Sequence, residues 1–328
     1  MKTAVLFFTL SIFSFNALAN KIDSLKTDEQ VLNFVKNLNI PVLSDSIEIL
    51  SDKVFTETVG NWQADTFHYS MAKKFIEKTS QKFWQTLDLN ADGEIDLLAT
   101  IIQKGGFHTI VIAVLAKNNN TYTVKTFNRF FVFDEAASAI RTEGTPCILL
   151  NRVDFSDCMT FGVSNSINVS GCPIKTDTLA WKFDDFVDLN SQVINHHIVN
   201  TISIDETDAG WIEREASNIQ IDLASGDIVY YKQTSTIKDG DKAISGKGFI
   251  AKEDAKKIES LINYIDFVSL KDTFDCHTSD VGWATLRIGY DNGQVKNIYD
   301  LGANGTYGLM VLYNTLINIK YSNTETKQ

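Results

Sequence analysis

The chain has 328 residues, with 41 acidic against 30 basic side chains and a formal net charge of −11. This balance excludes nucleic acid as a main partner, because phosphate binding requires clustered Lys and Arg side chains. Apolar residues make up 44% of the chain, enough for a sizeable core, and the length predicts two domains.

Residues 1–19 are predicted to form a secretory signal peptide. Lys2 precedes an apolar run at 4–15, which is shorter than the roughly 20 residues that span a bilayer. Ala17 and Ala19 supply the small side chains expected before a cleavage site near Ala19. We therefore expect an exported bacterial protein, periplasmic or extracellular, whose mature chain has no transmembrane segment.

The first predicted domain, 20–208, begins with helices and continues as a mainly antiparallel sheet. Thr27 and Gln30 have capping-box spacing before an apolar stripe, which predicts a helix over 28–38. A second helix is predicted over 69–79. Strands are predicted at 82–88, 95–103, 107–116, 121–132, 146–151, 178–183 and 193–204.

The second predicted domain, 209–328, follows a polar, acidic boundary at 205–212. Two strands at 218–223 and 227–235 flank a tight turn, and a helix covers 252–265. Strands at 284–290 and 294–300 then flank Asp291-Asn292-Gly293, a hairpin signal, before a last helix at 306–320. The order ββαββα predicts a small layered domain, and the whole chain is expected to be α+β.

The strongest chemical motif lies at 88–96, where oxygen-bearing side chains recur at alternate positions of a short loop. Gly93 permits a sharp bend, and calcium accepts a flexible shell of 6–8 oxygens. The motif predicts a structural Ca²⁺ site whose ligands are Asp88, Asn90, Asp92, Glu94 through its carbonyl, and Asp96. A solvated acidic turn without an ion is the alternative.

The calcium motif departs from an EF-hand, because position 12 is Ala99 and a strand-like apolar run follows the loop. Residues 88–98 instead resemble the calcium loops of FG-GAP and VCBS-type extracellular modules, which lie between two strands. The resemblance implies calcium. It does not imply a propeller, since the chain lacks the repeats that a propeller needs.

The four cysteines are expected to form disulfides in an exported protein. The preferred pairing joins Cys158 to Cys172 and Cys147 to Cys276, although three connectivities are open. A zinc site is disfavoured, because the chain contains neither a C-x-x-C nor an H-x-x-x-H spacing.

Two other clusters could carry chemistry, and neither forms a complete catalytic set. His277 lies beside Asp275 and Asp280 without an obvious nucleophile. The acids at 184, 185 and 188 follow aromatic residues, but glycan hydrolysis needs two carboxyl groups opposed across a cleft. No catalytic residue is therefore assigned.

The region of about 212–320 resembles a family of uncharacterised domains in secreted and envelope proteins of bacteria. The segments that carry the resemblance are Gly226–Tyr231, Gly246–Gly248 and Phe267–Phe274, followed by the closing hairpin and helix. The C-x-x-x-C-P segment of that family is absent here. The resemblance implies a fold and an exported location, not an activity.

The predicted function is that of a non-catalytic binding or envelope-associated accessory protein with a protein or glycan partner. The main alternative is a secreted or periplasmic hydrolase of glycans or peptides. A pocket containing His277 or two convergent acids would favour the hydrolase, and an inhibitor or scaffold with a protein surface as its site is a third possibility.

Overall fold

The computed structural model describes residues 21–40, 47–49, 82–103, 109–117, 120–127, 135–153, 174–190, 195–207, 213–236, 240–275, 281–302 and 305–323. Strands account for 56% of the structure over these ranges and helices for 18%. The α+β prediction is therefore wrong, and the fold is mainly antiparallel β. The signal peptide at 1–19 and the helix predicted over 69–79 lie outside the described residues.

The first sheet has five strands and follows a helix at the start of the described chain. A 3-10 helix, Lys21–Ser24, precedes α1, Asp28–Lys36, where the Thr27 hydroxyl accepts the Gln30 N–H at 3.3 Å, as the capping signal predicts. The strands are β1 (Ile47–Ile49), β2 (Trp84–Leu87), β3 (Asp96–Gln103), β4 (Thr109–Lys117) and β5 (Thr121–Thr126). Their order is β1-β3-β4-β5, and β2 pairs with β3 beside β1.

The second sheet has four strands in chain order and packs against the first. It consists of β6 (Glu135–Thr142), β7 (Thr145–Val153), β8 (Ile174–Lys182) and β9 (Asp185–Asp188). Leu98 and Val111 of the first sheet share a core with Ile148 and Leu179 of the second. On the opposite face of the first sheet, side chains such as Leu97 pack in a separate core with α1. The central strands β3 and β4 are thus buried on both faces, which explains their nearly continuous apolar sequence.

The third sheet has eight strands, and its buried side chains in the described part of the chain lie on one face. Its elements are β10 (Val199–Thr207), β11 (Glu213–Asp222), β12 (Asp227–Thr236), β13 (Gly240–Ile250), α2 (Lys252–Tyr264), β14 (Thr273–Phe274), β15 (Trp283–Tyr290), β16 (Gln294–Leu301), α3 (Tyr307–Ile317) and β17 (Tyr321–Asn323). The strand order is β14-β16-β15-β10-β11-β12-β13-β17. Helices α2 and α3 pack in one core with Ile204, Ile219 and Leu286.

The elements predicted for the second region are present, but they are parts of a larger sheet. The predicted boundary at 205–212 falls between β10 and β11, which pair along their length. Strand β10 also pairs with β15, so it lies in the middle of the sheet. The sequence predicts β10 as part of the first domain. In the structure β10 belongs to the eight-stranded sheet, because β11 and β15, its partners, lie later in the chain.

The start of α3 connects the eight-stranded sheet to the other two. The Thr306 hydroxyl accepts the Leu309 N–H at 3.2 Å, and the Asp188 carboxylate of β9 accepts the Gly308 N–H at 2.9 Å. Tyr307 packs in the core between the two smaller sheets. A helix N-terminus favours a carboxylate, so Asp188 holds α3 against β9. Within the described ranges, no helix is both long and apolar enough to cross a bilayer.

Candidate functional site

The predicted calcium loop joins β2 to β3, and its side chains accept hydrogen bonds from its own backbone. The Asp88 carboxylate accepts the N–H groups of Asp92 and Gly93, each at 3.1 Å. Asn90 Oδ1 accepts the Asp92 N–H at 3.2 Å, and Asp92 Oδ1 accepts the Glu94 N–H at 2.9 Å. These bonds bring the oxygens at the first, third and fifth loop positions together along one short turn.

Two residues of this loop have positive φ, which explains how nine residues turn so sharply. Gly93 has a φ of +93° and Ala91 one of +59°. The glycine was expected at the bend, since it adopts this conformation without a steric penalty. The alanine was not, because nothing in its side chain signals a left-handed conformation.

Asp96 has a structural role that the motif did not reveal. It is fully buried, and its two carboxylate oxygens accept the N–H groups of Leu89 and Ala116, both at 2.8 Å. The first bond closes the loop, and the second ties it to β4. Burial is the main reason that the pKa of Asp96 rises to about 6, and the nearby carboxylates of Asp92 and Asp88 add to the rise.

The loop offers the kind of oxygen donors that calcium prefers. Its acidic side chains do not, however, all converge on one point in the structure. Over the described ranges, no group of three or more His, Cys, Asp or Glu side chains is placed to hold a metal. Asp88, Asn90, Asp92 and the Glu94 carbonyl are hard oxygen donors in one turn, and water completes many calcium shells. No ion pair with a described Lys or Arg offsets the charge of Asp88, Asp92 or Asp96.

Cys147, in β7, is buried and carries a free thiol in the structure. Its Sγ lies 3.5 Å from the Thr145 carbonyl. The expected bond to Cys276 is therefore not formed in this structure. Cys158, Cys172 and Cys276 all lie outside the described residues, and the pairing of Cys158 with Cys172 stays a prediction.

The acids at 184, 185 and 188 contact three different elements, β5, α2 and α3, and do not converge on a cleft. The Asp185 carboxylate lies 2.6 Å from Lys125 of β5, and that of Asp184 lies 2.5 Å from Lys257 of α2. Asp188 binds the start of α3, as described above. His277 and Asp280 lie outside the described residues.

A histidine contact not anticipated from the sequence lies just before β10. His197 Nδ1 is 2.8 Å from Asp291 Oδ2 in the turn between β15 and β16, and its ring packs edge-on against Phe267 and Tyr290. The hydrogen bond from His197 lowers the pKa of Asp291. The partner lies 94 residues away along the chain, and no local pattern signals such a pair.

The broadest candidate site is the uncovered face of the eight-stranded sheet, opposite α2 and α3, which we call the open face. Residues on alternate positions of its strands point away from the helices and are exposed or partly exposed. Apolar and aromatic members include Val229, Tyr231, Phe249, Val295 and Tyr299, all more than one third exposed. Polar members include Thr201, Ser203, Gln220, Asn297 and Arg287.

A trough of about 390 Å³ runs across the middle of the open face. Gly289 lies in its floor, where a side chain would meet the Thr201 hydroxyl, since an added Cβ would lie 2.5 Å from that oxygen. Val295 lies on one side of the trough and Val229 on the other. Small polar residues on the central strands and larger ones on β16 and β12 therefore give this face its concave shape.

No family model matches the chain, and no curated protein matches it. The resemblances of 88–98 and of about 212–320 stay expectations from the sequence.

Proposed function

We propose that this chain is an exported, non-catalytic binding protein whose open face binds an extended glycan. The observation that carries the proposal is the wide face of the eight-stranded sheet, which α2 and α3 leave exposed and which combines aromatic rings with hydrogen-bonding side chains. Binding sites characteristically combine apolar walls with a few placed polar groups.

The side-chain chemistry of the open face suits a sugar chain. Tyr231 on β12 and Tyr299 on β16 offer partly exposed rings, 41% and 38% exposed, farther along the same strands than Val229 and Val295 at the sides of the trough. Four strand spacings separate β16 from β12, so the two rows lie about 19 Å apart. Asn218, Asp205 and Thr285 lie between the two rings. In the adjacent trough, Gln220, Arg287 and Ser203 offer donors and acceptors to hydroxyl groups.

A protein partner fits this face less well than a glycan. The centre of a protein interface is depleted of charge and enriched in apolar side chains. Here the centre carries Arg287, Asp222 and Thr201, and the apolar side chains lie toward the sides. The polar centre favours a hydroxylated ligand.

Affinity electrophoresis in gels containing soluble neutral polysaccharides (xylan, a mixed-linkage glucan and dextran) tests the glycan proposal. We expect one of them to retard the protein, and the paired change Tyr231→Ala with Tyr299→Ala to abolish the retardation. Ile244→Ala is the matched control, because Ile244 is 59% exposed but lies on the other side of the sheet. Mobility unchanged by all three polysaccharides, or retardation that survives the paired change, would contradict the proposal.

We also propose that the loop at 88–96 binds calcium and that the ion has a structural role. The proposal is supported by the oxygens of Asp88, Asn90 and Asp92 in one turn and by the unpaired charge beside buried Asp96. A bound dication would offset the repulsion among these carboxylates.

Thermal unfolding in EDTA and in calcium tests the metal site. Calcium is expected to raise the melting temperature of the wild-type chain and to leave that of Asp92→Ala unchanged. Asp205→Ala, which removes an exposed carboxylate from the open face, is expected to keep the full response. An equal calcium response in Asp92→Ala and in the wild type would mean that calcium acts elsewhere.

One observation favours the second candidate function, a hydrolase of glycans or peptides. Glu206 of β10 and Glu215 of β11 line the same cleft below α3, and these two positions are diagonal neighbours about 7–8 Å apart. Side chains carried on such neighbouring positions can bring two carboxyl groups within the roughly 5–10 Å that glycoside hydrolysis uses. Release of reducing ends from the polysaccharides above, lost in Glu215→Gln, would establish this activity in place of binding alone.

A further inference from the structure

One row of side chains crosses the open face at right angles to the strands and is positively charged. Strand pairing places its members opposite one another on neighbouring strands, from β16 to β13. This row, which we call the Arg287 row, consists of Asn297, Arg287, Ser203, Gln220, Val229 and Lys247. It contains two basic residues and no acidic one, although the whole chain has a net charge of −11.

The guanidinium group of Arg287, on the central strand β15, is exposed and available to a ligand. Within the described ranges it forms no ion pair. Its facing neighbours on the two adjacent strands are Ser203 and Asn297, both short and uncharged. A carboxylate at a facing position would pair with it, and neither position supplies one. The planar fork of N–H donors is therefore presented to the open face.

The acids that line the trough with Arg287 already bind the turn between β11 and β12. Asp222 accepts the N–H groups of Ala224 and Ser225, at 2.9 and 3.0 Å. Asp227 accepts the Ser225 hydroxyl at 2.7 Å. These carboxylates shape the turn, whereas Arg287 is the one basic residue among the described lining residues of the trough.

Asp205 of β10 is the acid that most directly competes for Arg287. It faces Thr285, two residues before Arg287, so Asp205 and Arg287 are diagonal neighbours about 7–8 Å apart on the same face. The two side chains are exposed and do not form an ion pair. Solvent screens a charge at this distance, so Asp205 weakens the attraction of Arg287 for an anion without cancelling it.

We infer that the glycan bound by the open face is acidic and that Arg287 binds one of its negative groups, an inference that rests on the proposed function. A carboxylate or sulfate of the sugar accepts two parallel N–H bonds from the guanidinium group. Tyr231 and Tyr299 lie in the next row, where their rings can contact the sugar chain. Because the chain as a whole is acidic, general attraction to its surface does not favour a polyanion, and the specific contact at Arg287 is needed.

Isothermal titration of the full-length protein with three oligosaccharides tests the inference. The probes are an oligogalacturonate, its methyl ester, which has the same sugar chain without the charge, and a sulfated carrageenan oligosaccharide. One of the two acidic probes is expected to bind at least about tenfold more tightly than the methyl ester, and the tighter one identifies the acidic group.

Variants of Arg287 and its neighbour then locate the contact. Arg287→Gln should weaken binding of the acidic probe about tenfold, the size of one charge-assisted interaction, and should weaken binding of the methyl ester much less. Arg287→Lys should restore part of the loss, because it keeps the charge but not the fork. Asp205→Asn should strengthen binding of the acidic probe, since it removes the neighbouring negative charge.

Lys256→Gln is the matched control, because Lys256 is an exposed cation on α2, at the other side of the sheet, and its loss should leave binding unchanged. Equal binding of the acids and the methyl ester, no binding of either acid, full binding by Arg287→Gln or an equal loss in Lys256→Gln would each overturn the inference. Binding of the methyl ester as tight as that of the acids, abolished by the paired change at Tyr231 and Tyr299, would leave glycan binding standing without the acid contact. Absence of binding by all three probes, together with unchanged mobility in the polysaccharide gels, would contradict both proposals.

Discussion

The five-stranded and eight-stranded sheets differ in how many of their faces are covered. The five-stranded sheet is covered by α1 on one face and by the four-stranded sheet on the other. Among the described residues, the eight-stranded sheet is covered by α2 and α3 on one face only. This difference indicates where a ligand can bind. The five-stranded sheet is buried on both faces, whereas the eight-stranded sheet has one face packed in a core and one face that is accessible.

The sharpest test of this comparison is a pair of apolar truncations, one in each sheet. Ile112→Ala, in the doubly covered strand β4, is expected to lower the free energy of unfolding by about 2–5 kcal/mol, because it leaves a cavity. Val229→Ala, on the open face, should change it by less than about 0.5 kcal/mol. Urea denaturation of both variants measures the difference, and equal losses would show that the two sheets are not covered differently.

Loss of a buried carboxylate in the first sheet is expected to lower the free energy of unfolding almost as much. Asp96→Ala removes the acceptor for the buried N–H groups of Leu89 and Ala116 and should cost about 2–4 kcal/mol, even in EDTA. Asp205→Ala is the control on the open face and should have little effect. An Asp96→Ala chain as stable as the control in EDTA would mean that Asp96 acts only through the metal.

Removing a helix-capping hydroxyl should lower the free energy of unfolding by a smaller amount, and by a similar amount in the two regions. Thr27→Ala and Thr306→Ala each remove a hydroxyl that accepts a first-turn N–H, and each should cost about 1 kcal/mol. The corresponding Ser variants keep the acceptor and should lose much less. A Thr306→Ala cost several times that of Thr27→Ala would show that the α3 start, and not the cap alone, holds the sheets together.

The smallest expected effect is a pH-dependent change in stability that arises at the turn between β15 and β16. The pKa of Asp291 is lowered, first by the hydrogen bond from His197 and then by the Ile198 N–H. A lowered carboxyl pKa stabilises the fold above the unfolded value of about 3.9, and this contribution is lost as the pH falls through the folded pKa. Asp291→Asn should therefore be less stable than the wild type at pH 7, with a difference that shrinks below pH 4. A difference in urea midpoints that is constant from pH 7 to pH 3 would contradict this assignment.

Local sequence signals predicted most individual elements correctly. The capping residues before α1, the Asp291-Asn292-Gly293 turn and the apolar periodicity of α2 all indicate structure that the chain forms. Each of these signals acts over a few residues, so the backbone conformation follows from neighbouring side chains. The loop at 88–96 was found for the same reason, because its oxygens and Gly93 lie within nine residues.

The sequence could not predict how these elements assemble. The fold class was misjudged. Strand β10, which lies before the predicted boundary at 205–212, pairs with β15 about 85 residues later in the chain, and no local pattern records that pairing. Strand β13 was missed since its polar and glycine-rich residues lack clear alternation.

The hairpins and the described helices are what the sequence by itself determined, because each depends on residues close together in the chain. The export signal and the calcium site stay predictions from equally local patterns. The open face and the cleft below α3 were decided only by tertiary structure. Glu206, Glu215 and Tyr313 come from three separate elements, and their shared cleft exists only once the eight-stranded sheet and α3 have packed. A binding site of this kind depends on packing, which a local pattern does not record.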